Sequence, residues 1–266
     1  MRCAMCQTDL SAPAAPAAGA DPYRRCSHCG GVFLDPYPAV QSNVVFEGPE
    51  GVARQAEIEA GRRAYFARHL VRIERRMDAT VQNWRLLEIG CGSGVLLSLA
   101  RERGWRADAI ELSPELVACA RAANPDAEIT CGDITDPTVG RADYDAVLAL
   151  DVIEHVLAPD DLLRNCGAHL RRGGLLLLQT PNAEGLRHRL EGPRWDMRDP
   201  RQHVNLYTAR GLVGALGRTG YEVVSLGTIS GTGLEAGWRR VAARVKEGVL
   251  DQLRLGNALV VVGRRK

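Results

Sequence analysis

The segment Leu86-Leu87-Glu88-Ile89-Gly90-Cys91-Gly92-Ser93-Gly94 limits what this chain can fold into more than any other. The short apolar run Arg85–Ile89 predicts a buried strand. The alternating glycines after it let the backbone turn tightly and come close to a ligand. A dinucleotide fingerprint would place its last glycine at position 95, where Val95 stands. The G-x-G-x-G form, with Glu88 ahead of it, suits a ligand with an amino-acid moiety and no pyrophosphate. Nicotinamide-dependent redox chemistry fits poorly.

Beyond the glycines the chain alternates strand and helix signals, the pattern of an α/β doubly wound sheet. Strands are expected at Arg85–Ile89, Arg106–Glu111, Ala127–Cys131, Tyr144–Leu150, Leu175–Thr180, Tyr221–Leu226 and Asn257–Val262. This predicts a seven-stranded, mostly parallel sheet. A helix runs from the glycines to about Arg103, and Pro114 opens the next at a favourable first-turn position. Arg171-Arg172-Gly173-Gly174 reads as a tight turn into the fifth strand. Right-handed crossovers gather the loops after the strands on one edge, where ligands bind in such folds. Glu111, about twenty residues beyond Gly92, ends the second strand and can accept hydrogen bonds from both hydroxyls of a ribose. Leu112 comes next, Asp133 and Ile134 end the third strand, and Leu150 and Asp151 end the fourth.

Ahead of this domain, Cys3-Ala-Met-Cys6 and Cys26-Ser-His-Cys29 form a C-x2-C-x19-C-x2-C pattern. Each pair can bend into a knuckle, and two knuckles complete a tetrahedral cage of thiolates. In a stretch too short for its own core, that pattern favours structural zinc on Cys3, Cys6, Cys26 and Cys29; iron or an empty site is the alternative. His28 lies inside a knuckle whose ligands are already complete. Cys91, Cys119, Cys131 and Cys166 stand singly, as small apolar residues do. The expected organisation is a zinc-ribbon-like module over 1–38, a linker and helical cap over 39–80, and the sheet domain over 81–266. Ser11–Ala20 is a loop between the knuckles. In the cap, Ile58, Tyr65, Phe66, Leu70, Ile73 and Met77 recur at helical spacing over Gly51–Met77, predicting a helix across the mouth of the next domain, as a docking element or a lid. Arg54, Arg62, Arg63, Arg68, Arg72, Arg75 and Arg76 alternate there with Glu57, Glu59 and Glu74, as on a solvated helix face.

Asp151, Glu154 and His155 have the i, i+3, i+4 spacing that would place them on one face of a helix. His155 could serve as a general base beside a carboxylate, the three could hold a divalent metal that acidifies a substrate hydroxyl, or Glu154 and His155 could simply cap and pack. His203 sits in the loop Arg194-Trp195-Asp196 to Arg201-Gln202-His203-Val204-Asn205, on the ligand edge, and is the second candidate base or substrate anchor. Trp195 and Tyr207 are expected as pocket walls.

Together these segments resemble the class I methyltransferases, in the broad group that includes the ubiquinone-biosynthesis O-methyltransferases. The resemblance rests on LLEIGCGSG, AIELSP, CGDI, YDAVLALDVIEHV, LRRGGLLLLQTPN and RQHVNLYTARGLVGALGRTGYEVV, and covers roughly Tyr65 to Val224. It implies S-adenosylmethionine in the cleft. Glu88, Gly90, Gly92 and Gly94 would hold its methionine end, Glu111 the ribose, and Asp133 and Ile134 the adenine, with Leu150 and Asp151 near the sulfonium. The cysteine pairs with GGVFLDPYP after them resemble a zinc-ribbon head found on bacterial members that modify small metabolites and sugars. Related quinone-pathway sequences carry a similar acidic-x-x-Glu-His run and a Trp…His-Leu-x-x-Phe segment, where this chain has Val204 and Tyr207.

The expected activity is methyl transfer to an O, N or C nucleophile of a small molecule in a biosynthetic pathway. An RNA methyltransferase using its zinc module for recognition, or a non-catalytic partner-binding protein, is the alternative. A formal net charge of +2 argues against a dedicated nucleic-acid binder. No apolar run approaches the ~18 to 20 residues of a membrane helix, and no signal-peptide pattern opens the chain, so a cytoplasmic enzyme is expected. The residues after Ser225, with Trp238-Arg239-Arg240, are a candidate homodimer surface.

Overall fold

The structure, a computed structural model, describes residues 2–10, 21–39, 48–78, 83–134, 143–230 and 249–266. The knuckle loop Ser11–Ala20 and the Trp238-Arg239-Arg240 segment lie outside the described residues. Strands β1 (Tyr23–Arg25) and β2 (Val32–Leu34) belong to the cysteine head; α1 (Gly48–Gly61) and α2 (Arg63–Glu74) come after it. The sheet domain then runs β3 (Arg85–Ile89), α3 (Val95–Glu102), β4 (Arg106–Glu111), α4 (Pro114–Ala123), β5 (Ile129–Cys131), β6 (Tyr144–Leu150), α5 (Pro159–His169), β7 (Leu170–Pro181), α6 (Leu186–Glu191), β8 (Asn205–Leu206), α7 (Ala209–Arg218), β9 (Tyr221–Ile229) and β10 (Ala258–Arg265).

Seven of these strands form one sheet in the order β5-β4-β3-β6-β7-β10-β9, parallel except for β10, which is antiparallel to both neighbours. Side chains alternate between two covered faces. Leu87, Ile89, Val147, Ala149, Leu176, Leu178, Leu259 and Val261 pack under α5 and α7, while Leu86, Ala146, Leu148, Leu175, Leu177, Val260 and Val262 pack under α2, α3 and α4. Burial on both faces explains why these strands read as nearly unbroken apolar runs. Ser113 caps α4 by accepting from Leu116 N–H at 3.2 Å, with Pro114 in the first turn, as the sequence predicts. The expected turn at Arg171–Gly174 is absorbed into β7. Pairing jumps from Tyr144↔Leu170 to Ala146↔Leu175, so 171–174 bulge out with Gly173 at φ +74°.

One expectation changes. The cap is two helices rather than one, broken at Arg62 (φ −94°, ψ 9°) directly after Gly61, a poor helix former. The head is joined to the sheet domain: β2 pairs with β8, a strand from deep inside that domain, to give a second sheet β1-β2-β8. Met5, Cys29 and Phe33 of the head join the core beneath α7, alongside Leu212, Ala215 and Leu216. Its other face, Tyr23, Val32 and Leu34, packs on Trp195, Val204 and Leu206.

Candidate active site

A cavity of about 1120 Å³ opens at the carboxyl ends of β3, β4 and β6, beneath α1 and the start of α2. Pockets for single drug-sized ligands measure roughly 300–1,000 Å³, so the cavity has room for a ligand of that size. Its walls divide into two halves.

One half, where the sequence places the cofactor, is the glycine elbow. Gly90, Gly92 and Gly94 all have positive φ (+70°, +54° and +83°), a region that favours glycine. Gly90 and Gly92 line the cavity, together with Glu88, Glu111, Leu112, Leu150 and Asp151. Gly94 serves packing instead: a Cβ there would stand 2.6 Å from Asn124 Nδ2 on the next helix. Glu111 accepts from Gly92 N–H at 2.9 Å through one oxygen and from Ser113 N–H at 3.0 Å through the other, leaving a lone pair on each for a ligand hydroxyl. Asp133 and Ile134, just beyond the end of β5, are not among the residues lining the cavity; Ile134 packs in the core.

Two further residues there depart from the solvated helix face that their sequence context suggests. Glu59, on α1, is buried and accepts from Ser93 N–H at 2.8 Å and from the Ser93 hydroxyl; a Cβ on Gly92 would lie 2.1 Å from its Oε1. Arg62, at the helix break, lies 4.5 Å over the Tyr65 ring, with an amino group 4.0 Å from Asp151 Oδ2. Its Nε is buried without a partner among the described residues. Both face the cavity, while Arg54, Arg63, Arg68 and Arg75 are exposed as expected. Nothing in their spacing sets them apart from their neighbours in the sequence; the packing of the cap over the elbow does.

Glu59, Glu88 and Glu111 therefore converge on one elbow. Burial first, then the Glu59 and Glu111 charges, hold the Glu88 carboxyl well above the usual carboxylate range. Its Oε2 is fully buried and has no hydrogen-bond partner among the described residues. Burial and the neighbouring Glu111 raise Glu59 too. Such a cluster favours a cationic ligand, whose charge would relieve the repulsion and restore the ionised forms.

The other half carries the candidate base residues, and it differs from expectation. Residues after β6 do not continue as a helix; α5 begins only at Pro159, and Asp151 takes φ +56°. Asp151 is not one of the residues whose ligand atoms gather with those of Glu154 and His155; it accepts from Gln179 Nε2 at 2.9 Å, while Gln179 Oε1 accepts from Tyr65 at 2.6 Å. His203 takes its place. Donor atoms of Glu154, His155 and His203 all lie within 4.8 Å of one another, and the two imidazole rings are 4.8 Å apart. His155 Nδ1 meets the Gln202 carbonyl at 2.8 Å, and His203 Nδ1 meets the Met197 carbonyl at 2.7 Å. A carbonyl only accepts, so each Nδ1 carries the proton and each Nε2 is left as a lone-pair donor.

Burial pushes the His155 imidazole down to about 4 and lowers His203 as well, so both are neutral at pH 7. Burial and the Asp151 charge hold the Glu154 carboxyl well above its ordinary range. Its Oε2 accepts from Thr180 at 3.0 Å, and its buried Oε1 is unpartnered among the described residues. Two imidazoles with one orphaned carboxylate oxygen are a donor set that suits a divalent ion. Trp195, Met197 and Gln202 line this half. Tyr207 does not: it is fully buried in the core, beside Met5 and Leu212, because it leads from β8 into α7.

In the head, the Cys3 and Cys29 sulfurs lie 3.9 Å apart and those of Cys6 and Cys26 3.7 Å apart, with all four within 4.8 Å. Zinc–sulfur bonds of about 2.3 Å in a tetrahedron set thiolates roughly 3.8 Å apart, so the cysteines fit the metal without rearrangement. His28 is exposed, outside the cage.

The strand order, with one antiparallel strand next to the edge, and the glycine elbow at the ligand edge define a class I methyltransferase fold. Residues 53–226 match the Methyltransf_23 family, a methyltransferase domain, and the chain belongs to that family. S-adenosylmethionine is the cofactor of these methyltransferase folds. The chain is 34% identical over 103 residues to a ubiquinone biosynthesis O-methyltransferase of Xanthomonas axonopodis pv. citri, and 35% identical over 103 residues to one of Caulobacter sp.. These matches cover 37% of this chain and 43% and 41% of the relatives, less than half their length. Among solved structures, magnesium protoporphyrin IX methyltransferase from Synechocystis, with bound S-adenosylhomocysteine, superposes with a TM-score of 0.57 at 16% identity over 86% of this chain and 91% of that one. A chain of the complex between the Haloferax volcanii Trm112 methyltransferase activator and a methyltransferase superposes at 0.63 with 20% identity, over 84% and 97%. At these identities the likeness is one of fold.

Proposed function

We propose that this chain moves the methyl group of S-adenosylmethionine to a nucleophilic oxygen, nitrogen or carbon of a small biosynthetic molecule. The observation that carries this reading is the ring of carboxylates at Gly92, with the orphaned Arg62 Nε nearby. A methionine moiety offers an ammonium and a carboxylate, and these groups are complementary to both. Glu88 and Glu59 would face the ammonium, Arg62 the carboxylate, and Glu111 the ribose hydroxyls. The donor supplies an already activated methyl group on a cationic sulfur. The protein's work is then to hold the acceptor in line and take its proton.

His155 or His203 takes that proton at Nε2, because both rings are neutral with Nδ1 tied to a carbonyl. Glu154, His155 and His203 would equally hold a divalent ion, which would lower the pKa of an acceptor hydroxyl. The donor set and the orphaned Glu154 oxygen support this second role. The head cysteines would hold structural zinc.

The test is a metabolite screen with isotopically labelled methyl donor, then His155→Ala and His203→Ala on the acceptor it finds. Loss of at least ~10²-fold in turnover from one change supports a base. If neither reaches that value, both assignments as bases fall. RNA labelling with a steep salt dependence would redirect the reading to a nucleic-acid acceptor.

A further inference from the structure

His203 owes its place to contacts made by the cysteine head. Its peptide carbonyl accepts from the Tyr23 hydroxyl at 2.6 Å, in a buried contact 180 positions apart in sequence. One residue on, the Val204 carbonyl accepts from Leu34 N–H of β2 at 3.1 Å. Val32↔Leu206 and Phe33↔Asn205 continue that ladder. At the far end of the strap, the Thr208 hydroxyl donates to the Cys29 carbonyl at 2.6 Å while accepting from Gly211 N–H as the cap of α7. The strap is thus tied to the head at both ends and along its length.

Its opposite edge grips the other acceptor-side residues. Val204 N–H and Asn205 N–H both donate to the Glu154 carbonyl, at 2.9 and 3.0 Å. The Asn205 side chain donates to the Val156 carbonyl at 3.0 Å and to the Tyr37 hydroxyl at 2.8 Å. One continuous hydrogen-bonded ribbon therefore runs from β2 through the strap to the Glu154–Val156 turn. The glycine elbow takes no part in it. The strands of the head are three residues long, and its four thiolates bound together would hold the two knuckles that carry them.

We propose that the cysteine head is a splint for the acceptor half of the site, and that Tyr23 is the positioning residue that sets His203. This rests on the reading of His203 as an acceptor-side group. Metal in the cage and the Tyr23 hydroxyl would then govern the placement of His203 and Glu154 and leave the donor's binding surface intact.

The test uses the full chain, loaded with zinc alone, as wild type and as Tyr23→Phe, which keeps the ring under Arg198 and removes one hydroxyl. Ring ¹⁵N spectra at a single pH report His203, assigned by its loss in His203→Gln; amide exchange reports 203–208; calorimetry with S-adenosylhomocysteine reports the donor half. Tyr23→Phe is expected to keep the zinc content of wild type and a donor affinity within about twofold of it. Exchange at 203–206 should rise by at least ~10-fold and the His203 ring signals should move. Cys26→Ser, which removes one cage thiolate and leaves Glu154, His155 and His203 in place, should enlarge both changes. His203 signals that superpose on wild type would overturn the proposal. So would loss of donor affinity in step with the strap, since the head would then support the whole fold. Failure of wild type to bind S-adenosylhomocysteine would instead sink the methyl-transfer reading, with the spectra still deciding the splint.

Discussion

Around Gly92, the cavity-facing groups come from two neighbouring stretches, Glu88 to Leu96 and Glu111 to Leu116, with Leu150 and Asp151 at the end of β6 and the cap helices laid across them. Around His203 the groups come from the β6–α5 turn, β7 and the loop that carries Trp195 to His203, braced by the head through backbone hydrogen bonds between distant segments. The cofactor half uses local geometry: positive φ at glycine and a carboxylate accepting from the elbow. The acceptor half is an assembly whose parts have no reason to meet until the chain is folded. A half made locally can be shared among proteins with different substrates; a half assembled from afar can be altered without disturbing the first.

Substitutions should separate the two halves, and the largest effect is expected at the elbow. Gly92→Val places a side chain on a residue at φ +54° and against Glu59 Oε1, so calorimetry should find donor affinity reduced by at least ~100-fold, about 2.7 kcal/mol. Retained affinity would mean that the elbow is not the cradle. On the other side, the more important of His155→Ala and His203→Ala should slow turnover ~10²-fold while leaving donor affinity within about twofold. Weakened donor binding there would erase the division. Arg62→Gln should cost the donor about 10-fold in affinity, the scale of one hydrogen bond to a charged group, with less effect on S-adenosyl analogues lacking the carboxylate.

The smallest effect is a proton linkage. The Glu88 carboxyl titrates above its ordinary range in the empty site, and a cationic ligand would bring it down. Protons then leave on binding, and donor affinity should rise with pH across the window above the usual carboxylate range, by no more than about tenfold per unit for one proton. Calorimetry in buffers of different ionisation enthalpy reads this directly, and proton uptake would contradict it. His155 gives stability a pH dependence in the same direction. Its folded value of about 4 lies below the ordinary 6.5, so the unfolded chain binds the extra proton, and melting temperature should fall as pH drops from about 6.5 towards 4.

The same division decides what is legible in the sequence. Strand periodicity, the three glycines, Glu111 at a strand end and the paired cysteines are local signals, and the sheet and the sulfur cage are their direct consequences. Asp151 reads as a partner of Glu154 and His155 because helical spacing says nothing of the left-handed residue that breaks the pattern; the helix begins only at Pro159. Glu59 and Arg62 look like members of a mixed-charge surface; only the packing of α1 over the elbow distinguishes them from Arg54 and Arg63. Tyr207 looks like a wall because its loop reaches the cavity, yet β8 carries it inwards. That β8 completes a sheet with β2 has no sequence signature, since a strand of two residues has no period to detect.

The most direct test of the central claim is titration calorimetry of the zinc-loaded chain with S-adenosylmethionine and S-adenosylhomocysteine. Saturable uptake of one molecule per chain is expected, lost in Gly92→Val and kept in His203→Ala. A folded protein that takes up neither compound would contradict the account, and methyl transfer would have to be withdrawn.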